Sequence, residues 1–286
     1  MKNRKLLTGL AVLATVIGLV IISLPTIMHK NGLHPEYTGE TVDLPGKRAL
    51  IITTSHGVLS APGETDGPAT GLFSSEMTHP YYTFLDGGME VDIASIKGGD
   101  IPIDPASFNF VLKTAEDKRY LNDPIAQAKV KNSIPIAEVN VEQYDIVFIS
   151  GGWGGAYDLA QSTALAIKVS EAYYGDKQAM IGGVCHGALG LVSARDADGN
   201  LLIAGRRMTG VSDKQVEELG VTSITPKHPE TELRKAGAIY ESQTAFRDFL
   251  ATHVTVDDER RFVTGQNQNS GLEMAHTMMK ILSERD

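Results

Sequence analysis

Apolar runs alternate with helical stretches along most of the chain. Four runs rich in apolar and β-branched residues predict strands, at residues 48–55, 91–96, 144–150 and 179–184. Stretches with helical periodicity follow these runs, at about residues 71–85, 114–130, 162–174 and 186–194. Strands this apolar are buried on both faces, and helices between them are typical of parallel crossovers. The pattern predicts an α/β fold with a doubly wound, mostly parallel sheet sandwiched by helices.

Shorter elements follow in the C-terminal part of the chain. They are a hairpin at 201–208, helices at about 213–219, 231–236 and 270–282, and strands at 238–242 and 261–264. In a doubly wound sheet, ligands bind beyond the carboxyl ends of the strands. We therefore expect the functional residues to lie just after the apolar runs.

The chain begins with an uncharged apolar stretch at residues 6–28, which follows the basic residues Lys2, Arg4 and Lys5. As a helix it would be about 34 Å long, and a bilayer's hydrocarbon core is about 30 Å thick. The basic side predicts a cytoplasmic N-terminus and an extracytoplasmic remainder. The stretch does not end in a small-x-small cleavage site, which favours an anchor over the alternative, secretion after signal cleavage.

Length and composition predict a single domain behind this anchor. The 286 residues are 42% hydrophobic, enough for one large core. We assign residues 1–30 to the membrane anchor, 31–47 to a tether and 48–286 to the domain. The formal net charge of −9 argues against a nucleic-acid surface.

The only cysteine, Cys185, lies in the sequence GVCHG at residues 183–187. Small residues on both sides are typical of a nucleophile elbow, a sharp turn between a strand and a helix that exposes a reactive side chain. The N-terminus of a helix favours an anion, so we expect a lowered pKa for the Cys185 thiol. The alternative is a buried cysteine that serves as a small apolar residue.

Four motifs together resemble the DJ/PfpI superfamily. They are GVCHG at residues 183–187, SGGWG at 150–154, EMTHP at 76–80 and TGQN at 264–267. The last two resemble the larger-chain branch, which contains heat-shock chaperones and glutathione-independent glyoxalases. The resemblance covers about residues 48–284. It implies a flavodoxin-like fold related to class I glutamine amidotransferases, and a possible homo-oligomer.

The resemblance also implies roles for individual residues. Glu76 matches the glutamate that hydrogen-bonds the cysteine sulfur in this superfamily. The backbone N–H of His186 and the Gly151–Gly152 turn match an oxyanion hole, and the His186 imidazole would act as a base if a third group orients it. Trp153 stands where this branch usually has histidine, and we expect it to line the pocket or to fill its mouth.

A triad acid is harder to assign. An ungapped count places Val216 in the slot of the acid, and Glu217 is its neighbour. One residue along a helix is a rotation of about 100°, which would turn Glu217 away. Either the loop slips by one residue, or Asp213 substitutes, or the protein has no triad.

These residues support three hypotheses for function. The first is a cysteine-dependent enzyme for small reactive carbonyls, such as a glyoxalase that converts methylglyoxal to lactate. The second is a membrane-tethered thiol redox sensor or holdase chaperone. The third is an amidase or peptidase, which would need the complete triad. None of them requires a cofactor, and no residues have convincing metal-ligand spacing.

Overall fold

The computed structural model describes residues 2–285. The strands are β1 (Arg48–Thr53), β2 (Glu90–Ser95), β3 (Ile134–Pro135), β4 (Ile146–Ile149), β5 (Met180–Val184), β6 (Arg207–Met208), β7 (Ile239–Tyr240), β8 (Val254–Val256) and β9 (Phe262–Gly265). The α-helices are α1 (Lys2–Lys30), α2 (Ser74–Asp86), α3 (Ala115–Tyr120), α4 (Pro124–Lys131), α5 (Gly155–Asp158), α6 (Thr163–Tyr174), α7 (Asp213–Glu218), α8 (Pro229–Lys235) and α9 (Gly271–Ser283).

Seven strands of the described chain form the central sheet, in the order β3-β2-β1-β4-β5-β9-β8. All neighbours are parallel except β8 and β9, which pair antiparallel. β1 pairs with β2 on one side and β4 on the other, so the chain winds outward in both directions from the middle. The prediction of a mostly parallel α/β sheet is therefore confirmed.

Each face of the sheet has its own hydrophobic core. Side chains of β1 alternate between them, with Ala49 and Ile51 in one core and Leu50 and Ile52 in the other. Helices α2 and α9 cover the first face, and α6 covers the second. Because every β1 residue in this run is fully buried, the strand reads as continuously apolar in the sequence.

Two predicted elements differ from the structure. The helix expected at residues 114–130 is divided into α3 and α4, because Pro124 begins a new helix that the Asp123 carboxylate caps. The hairpin expected at residues 201–208 is wrong, since β6 pairs in parallel with β7 as a separate two-stranded sheet. The short strands β3 and β8 were not anticipated.

The N-terminal segment forms the long helix α1. Its part Val12–Lys30 has a mean hydropathy of 2.1, with none of it buried, and is long and apolar enough to cross a membrane. The predicted tether at residues 31–47 lies against the domain at both of its ends. Leu33 and Leu44 are buried there, and the N–H of Leu44 donates to the Gly87 carbonyl at 2.7 Å.

Substitution of Phe148 tests how much the hydrophobic core on the first face of the sheet contributes to stability. It is fully buried in β4 and meets Phe84 of α2 edge-on, with ring centroids 6.1 Å apart. We expect Phe148→Ala to lower the free energy of unfolding by about 3 to 5 kcal/mol, because it removes buried area and leaves a cavity. Denaturant unfolding followed by the fluorescence of the single tryptophan measures this. The control Phe246→Ala removes a side chain that is 93% exposed, and equal losses in both variants would contradict the prediction.

Candidate active site

Cys185 lies at the sharp turn that follows β5. It begins the 3₁₀-helix Cys185–Leu191 and has a φ of +58°, a left-handed conformation that is strained for a residue with a side chain. A Cβ atom at Gly187 would lie 2.1 Å from the Ile149 carbonyl oxygen, so only glycine fits after the turn. The turn has the expected elbow shape, but the helix behind it is a short 3₁₀ segment rather than the α-helix expected at residues 186–194.

The start of α2 and the turn after β4 lie beside Cys185, and α2 contributes a carboxyl group there. Glu76 is in the first turn of α2 and is 1% exposed. Its Oε2 atom accepts a hydrogen bond from the N–H of Gly151 at 2.9 Å, and its backbone carbonyl accepts one from the Ser150 hydroxyl at 2.8 Å. A Cβ atom at Gly151 would lie 2.7 Å from Oε2, so glycine is needed for this approach.

The sulfur of Cys185 is in contact with three of the expected partners. Its side chain hydrogen-bonds with Glu76, and the backbone N–H groups of Gly152 and His186 also interact with it. The sequence motifs had placed these groups in different parts of the chain. The structure brings them together around one atom, where the two N–H groups form a pair of donors for a developing negative charge.

Burial raises the pKa of Glu76 to about 8. Hydrogen bonds from Cys185 and from the backbone of Gly151 oppose this rise without cancelling it. At neutral pH the carboxyl group is therefore mainly protonated, and it can either donate a proton or accept one near its pKa.

The expectation of a lowered pKa for the Cys185 thiol is wrong. Burial raises its pKa well above the usual range, and the neighbouring Glu76 charge raises it further. The N–H groups of Gly152 and His186 lower it, but they cannot compensate for the loss of water. The site therefore holds protons tightly, and thiol and carboxyl together accept a single negative charge.

His186 is 1% exposed and its imidazole stays neutral. Burial is the main cause that lowers its pKa to about 3, and the charge of His228 adds to it. Its Nδ1 atom lies 3.5 Å from the Cys185 sulfur, while Nε2 has no hydrogen-bond partner within residues 2–285. The Trp153 ring packs edge-on against the imidazole, with centroids 5.0 Å apart.

The structure does not bring a triad acid to this histidine. Glu217 is exposed on α7, and Asp213 is exposed and accepts a hydrogen bond from the Thr231 hydroxyl at 2.7 Å. Val216, in the slot of the acid, is fully buried. In the part of the chain that the structure describes, no carboxylate hydrogen-bonds to the His186 imidazole, which favours the third alternative, a site without a triad acid.

A cavity of about 710 Å³ opens above the sulfur. We call the part of it that is lined by Glu76, Gly152, Trp153, Cys185 and His186 the floor, so Trp153 has the first of its two expected positions, in the lining of the pocket. Sequence reasoning missed the walls, which come from residues 104–112, from α7 and from the end of α1. Those segments have no motif, and the only signal was the apolar triplet at residues 110–112 in a polar loop. Among the described side chains, no group of His, Cys, Asp and Glu could hold a metal ion.

Fold and site together define a flavodoxin-like α/β protein with a cysteine at a nucleophile elbow. Comparison with known proteins is consistent with this class. The DJ-1/PfpI family model matches residues 69–281, and the chain belongs to this family.

Several relatives in the family are glyoxalases by name. The chain is 30% identical to Glyoxalase 3 of Candida albicans over 227 residues, which cover 75% of this chain and 91% of that protein. It is 30% identical to the glutathione-independent glyoxalase HSP31 of Saccharomyces cerevisiae, covering 79% and 93%. These names support an enzyme of this type.

Solved structures have the same fold. Rapid Encystment Protein 24 KDa of Francisella tularensis superposes with a TM-score of 0.74 at 33% identity, covering 82% of this chain and 99% of that chain. Glyoxalase III of Candida albicans superposes with a TM-score of 0.73 at 27% identity, covering 82% and 97%.

The raised pKa of Glu76 predicts a pH-dependent stability. The unfolded chain loses this proton near pH 4.5, while the folded protein keeps it up to about pH 8. Between these values the unfolded state binds fewer protons, so the free energy of unfolding falls as the pH rises, by at most about 1.4 kcal/mol per pH unit. We expect Glu76→Gln to flatten this slope in denaturant unfolding measured from pH 5 to 8.

Glu217→Gln is the matched control, because the same substitution is made at an exposed carboxylate. It should leave the slope of stability against pH as it is in the original protein. A slope that Glu76→Gln leaves unaltered would show that the buried carboxyl does not hold its proton at neutral pH.

Proposed function

We propose that this protein is a glutathione-independent glyoxalase that converts methylglyoxal to lactate with Cys185 as the nucleophile. One observation carries the proposal: the Cys185 sulfur, the Glu76 carboxyl and two backbone N–H groups meet at the floor of one cavity. The similarity to glyoxalases of two yeasts supports the same activity.

In the first step the sulfur adds to the aldehyde carbon of methylglyoxal. The pair reacts in its singly charged state: the Glu76 carboxylate takes the thiol proton and passes it to the carbonyl oxygen, so that the new C–S bond gives a hemithioacetal and Glu76 is again a carboxylate. The Gly152 and His186 N–H groups, which interact with the sulfur in the free protein, lie where they can stabilise the negative oxygen. A raised thiol pKa makes this transfer necessary, since little thiolate exists before substrate binds.

In the second step a proton moves between the two substrate carbons. A base removes the hydrogen of the former aldehyde carbon, and the ketone carbon receives a proton through an enediol. The first carbon is thereby oxidised to a thioester and the second is reduced to an alcohol. Glu76 is the better base for this transfer, because its pKa is about 8 while that of His186 is about 3.

In the last step water hydrolyses the thioester. The C–S bond breaks, the sulfur regains its proton, and lactate leaves with the oxygen from water. Over the whole reaction methylglyoxal takes up one water molecule, and no external oxidant or reductant is consumed.

The other two hypotheses find less support in the geometry. Amidase or peptidase chemistry needs an oriented histidine, and in residues 2–285 no carboxylate hydrogen-bonds to the His186 imidazole. Redox sensing by sulfenic acid needs a thiolate in the free protein, whereas the raised pKa of the Cys185 thiol leaves little thiolate there.

The proposal extends to the location of the enzyme. Helix α1 is apolar enough to anchor the domain in a membrane, with the basic N-terminus in the cytoplasm and the catalytic domain outside it. Protease protection of the full chain in intact cells tests this topology. Protection of the domain from protease added outside the cells would contradict it.

Kinetics of purified full-length protein test the proposed reaction. We expect turnover of methylglyoxal without glutathione, no turnover by Cys185→Ala, and a loss of about 10²- to 10⁴-fold in kcat for Glu76→Gln, which lacks the proton carrier. Lactate formation measures all three. Glu217→Gln is the control and should keep full activity because its side chain lies outside the site. Undiminished turnover by Cys185→Ala would reject the mechanism.

A further inference from the structure

The cavity above Cys185 is larger than methylglyoxal requires. Its volume of about 710 Å³ lies in the range of about 300 to 1,000 Å³ that is typical for drug-sized ligands. Methylglyoxal would occupy only the floor, next to Glu76 and the sulfur. The rest of the cavity is available for a substituent on the ketone side of the substrate.

The walls of this extra space are apolar. They are formed mainly by the side chains of Phe73, Phe110, Leu112, Val211, Leu219 and Val221. Such a surface favours an alkyl chain over a sugar or a charged group.

Polar side chains in the walls have partners inside the protein. Asp104 accepts hydrogen bonds from the Thr70 hydroxyl and the Ala106 N–H, both at 2.8 Å. The Gln268 amide donates to the Phe249 carbonyl at 2.9 Å. These groups are therefore engaged in holding the walls, and the reactive groups are concentrated at the floor.

The rim of the cavity exposes large apolar side chains. Phe110 is 60% exposed and Leu219 is 45% exposed, although both line the cavity. Exposed apolar surface next to a cavity is typical of a ligand-binding site for an apolar group. An alkyl chain that extends from the cavity to its rim would cover both of these side chains.

The end of helix α1 lies at the same rim. Met28 lines the cavity, and the turn after α1 is packed closely, since a Cβ atom at Gly32 would lie 2.8 Å from the Leu250 carbonyl oxygen. Ile22, six residues before Met28, is 76% exposed and lies about 9 Å further along the helix. The apolar surface of α1 thus begins beside the entrance, where alkyl-bearing molecules at a membrane surface would be found.

We propose that the substrates of this site are α-oxoaldehydes that carry an alkyl chain, with the chain in the apolar part of the cavity and the dicarbonyl group at Cys185. This inference rests on the proposed function and specifies its substrate class. The chemistry is the same for any chain R: R–CO–CHO and water give R–CHOH–COOH, and R itself is not changed.

A chain-length series tests the inference on the full-length protein in phospholipid nanodiscs. The probes are methylglyoxal, 2-oxohexanal, 2-oxooctanal and 2-oxodecanal, with rates expressed per free aqueous concentration. We expect kcat/KM to rise about threefold per added methylene until the cavity is filled, because each methylene leaves water. A value of kcat/KM that is constant or falls with chain length would overturn the inference.

The variant Phe110→Ser tests whether the alkyl chain of the substrate binds at the rim of the cavity. The readout is the ratio of kcat/KM for 2-oxooctanal to that for methylglyoxal, which a partly unfolded preparation leaves unchanged because it lowers both rates equally. We expect this ratio to fall about tenfold in Phe110→Ser, which loses apolar contact at the rim. Phe246→Ser, at a site that is 93% exposed and outside the cavity, is the control and should keep the ratio.

The outcomes distinguish the two proposals. Turnover of methylglyoxal without a gain for longer chains, or equal ratios in Phe110→Ser and Phe246→Ser, would overturn the alkyl-chain inference and leave the glyoxalase proposal standing. Turnover of none of the probes would overturn the glyoxalase proposal and the inference with it.

Discussion

The buried floor of the pocket accepts one negative charge, and the Cys185 sulfur and the Glu76 carboxyl compete for it. Burial raises the pKa of both groups, a charge on Glu76 raises the pKa of Cys185 further, and the hydrogen bond from Cys185 lowers the pKa of Glu76. Two backbone N–H groups favour the charge on sulfur. The arrangement therefore stores a proton on the carboxyl group and releases a nucleophile when a carbonyl substrate provides a place for the charge.

The central sheet brings the Cys185 sulfur and the Glu76 carboxyl close together. Strands β4 and β5 are parallel neighbours, so the turns that follow them bring Gly151 and Cys185 to one edge. The left-handed backbone at Cys185 turns its side chain toward α2, and the glycine at 187 lets the turn pack on β4. Strain in the turn is offset by the buried core beneath it, which explains why the reactive group can occupy a conformation that an isolated peptide would avoid.

The sequence predicted the parts of this arrangement that depend on local pattern. Apolar runs indicated the parallel strands, and small residues around Cys185 indicated the elbow. Two properties depend on tertiary packing and could not be read from the sequence: the degree to which the thiol is desolvated, and the residues that form the cavity walls. The raised thiol pKa follows from burial and from the charge of Glu76 in α2, which is distant in sequence from Cys185.

The most direct test is the rate at which iodoacetamide alkylates Cys185 as the pH is varied, since the chain contains no other thiol. If sulfur and carboxyl share one charge, the original protein shows an inflection near pH 8, where the pair loses its first proton. In Glu76→Gln this inflection disappears, and the rate continues to rise at higher pH because the thiol must ionise alone. An inflection at the same pH in both proteins would show that Cys185 titrates independently of Glu76.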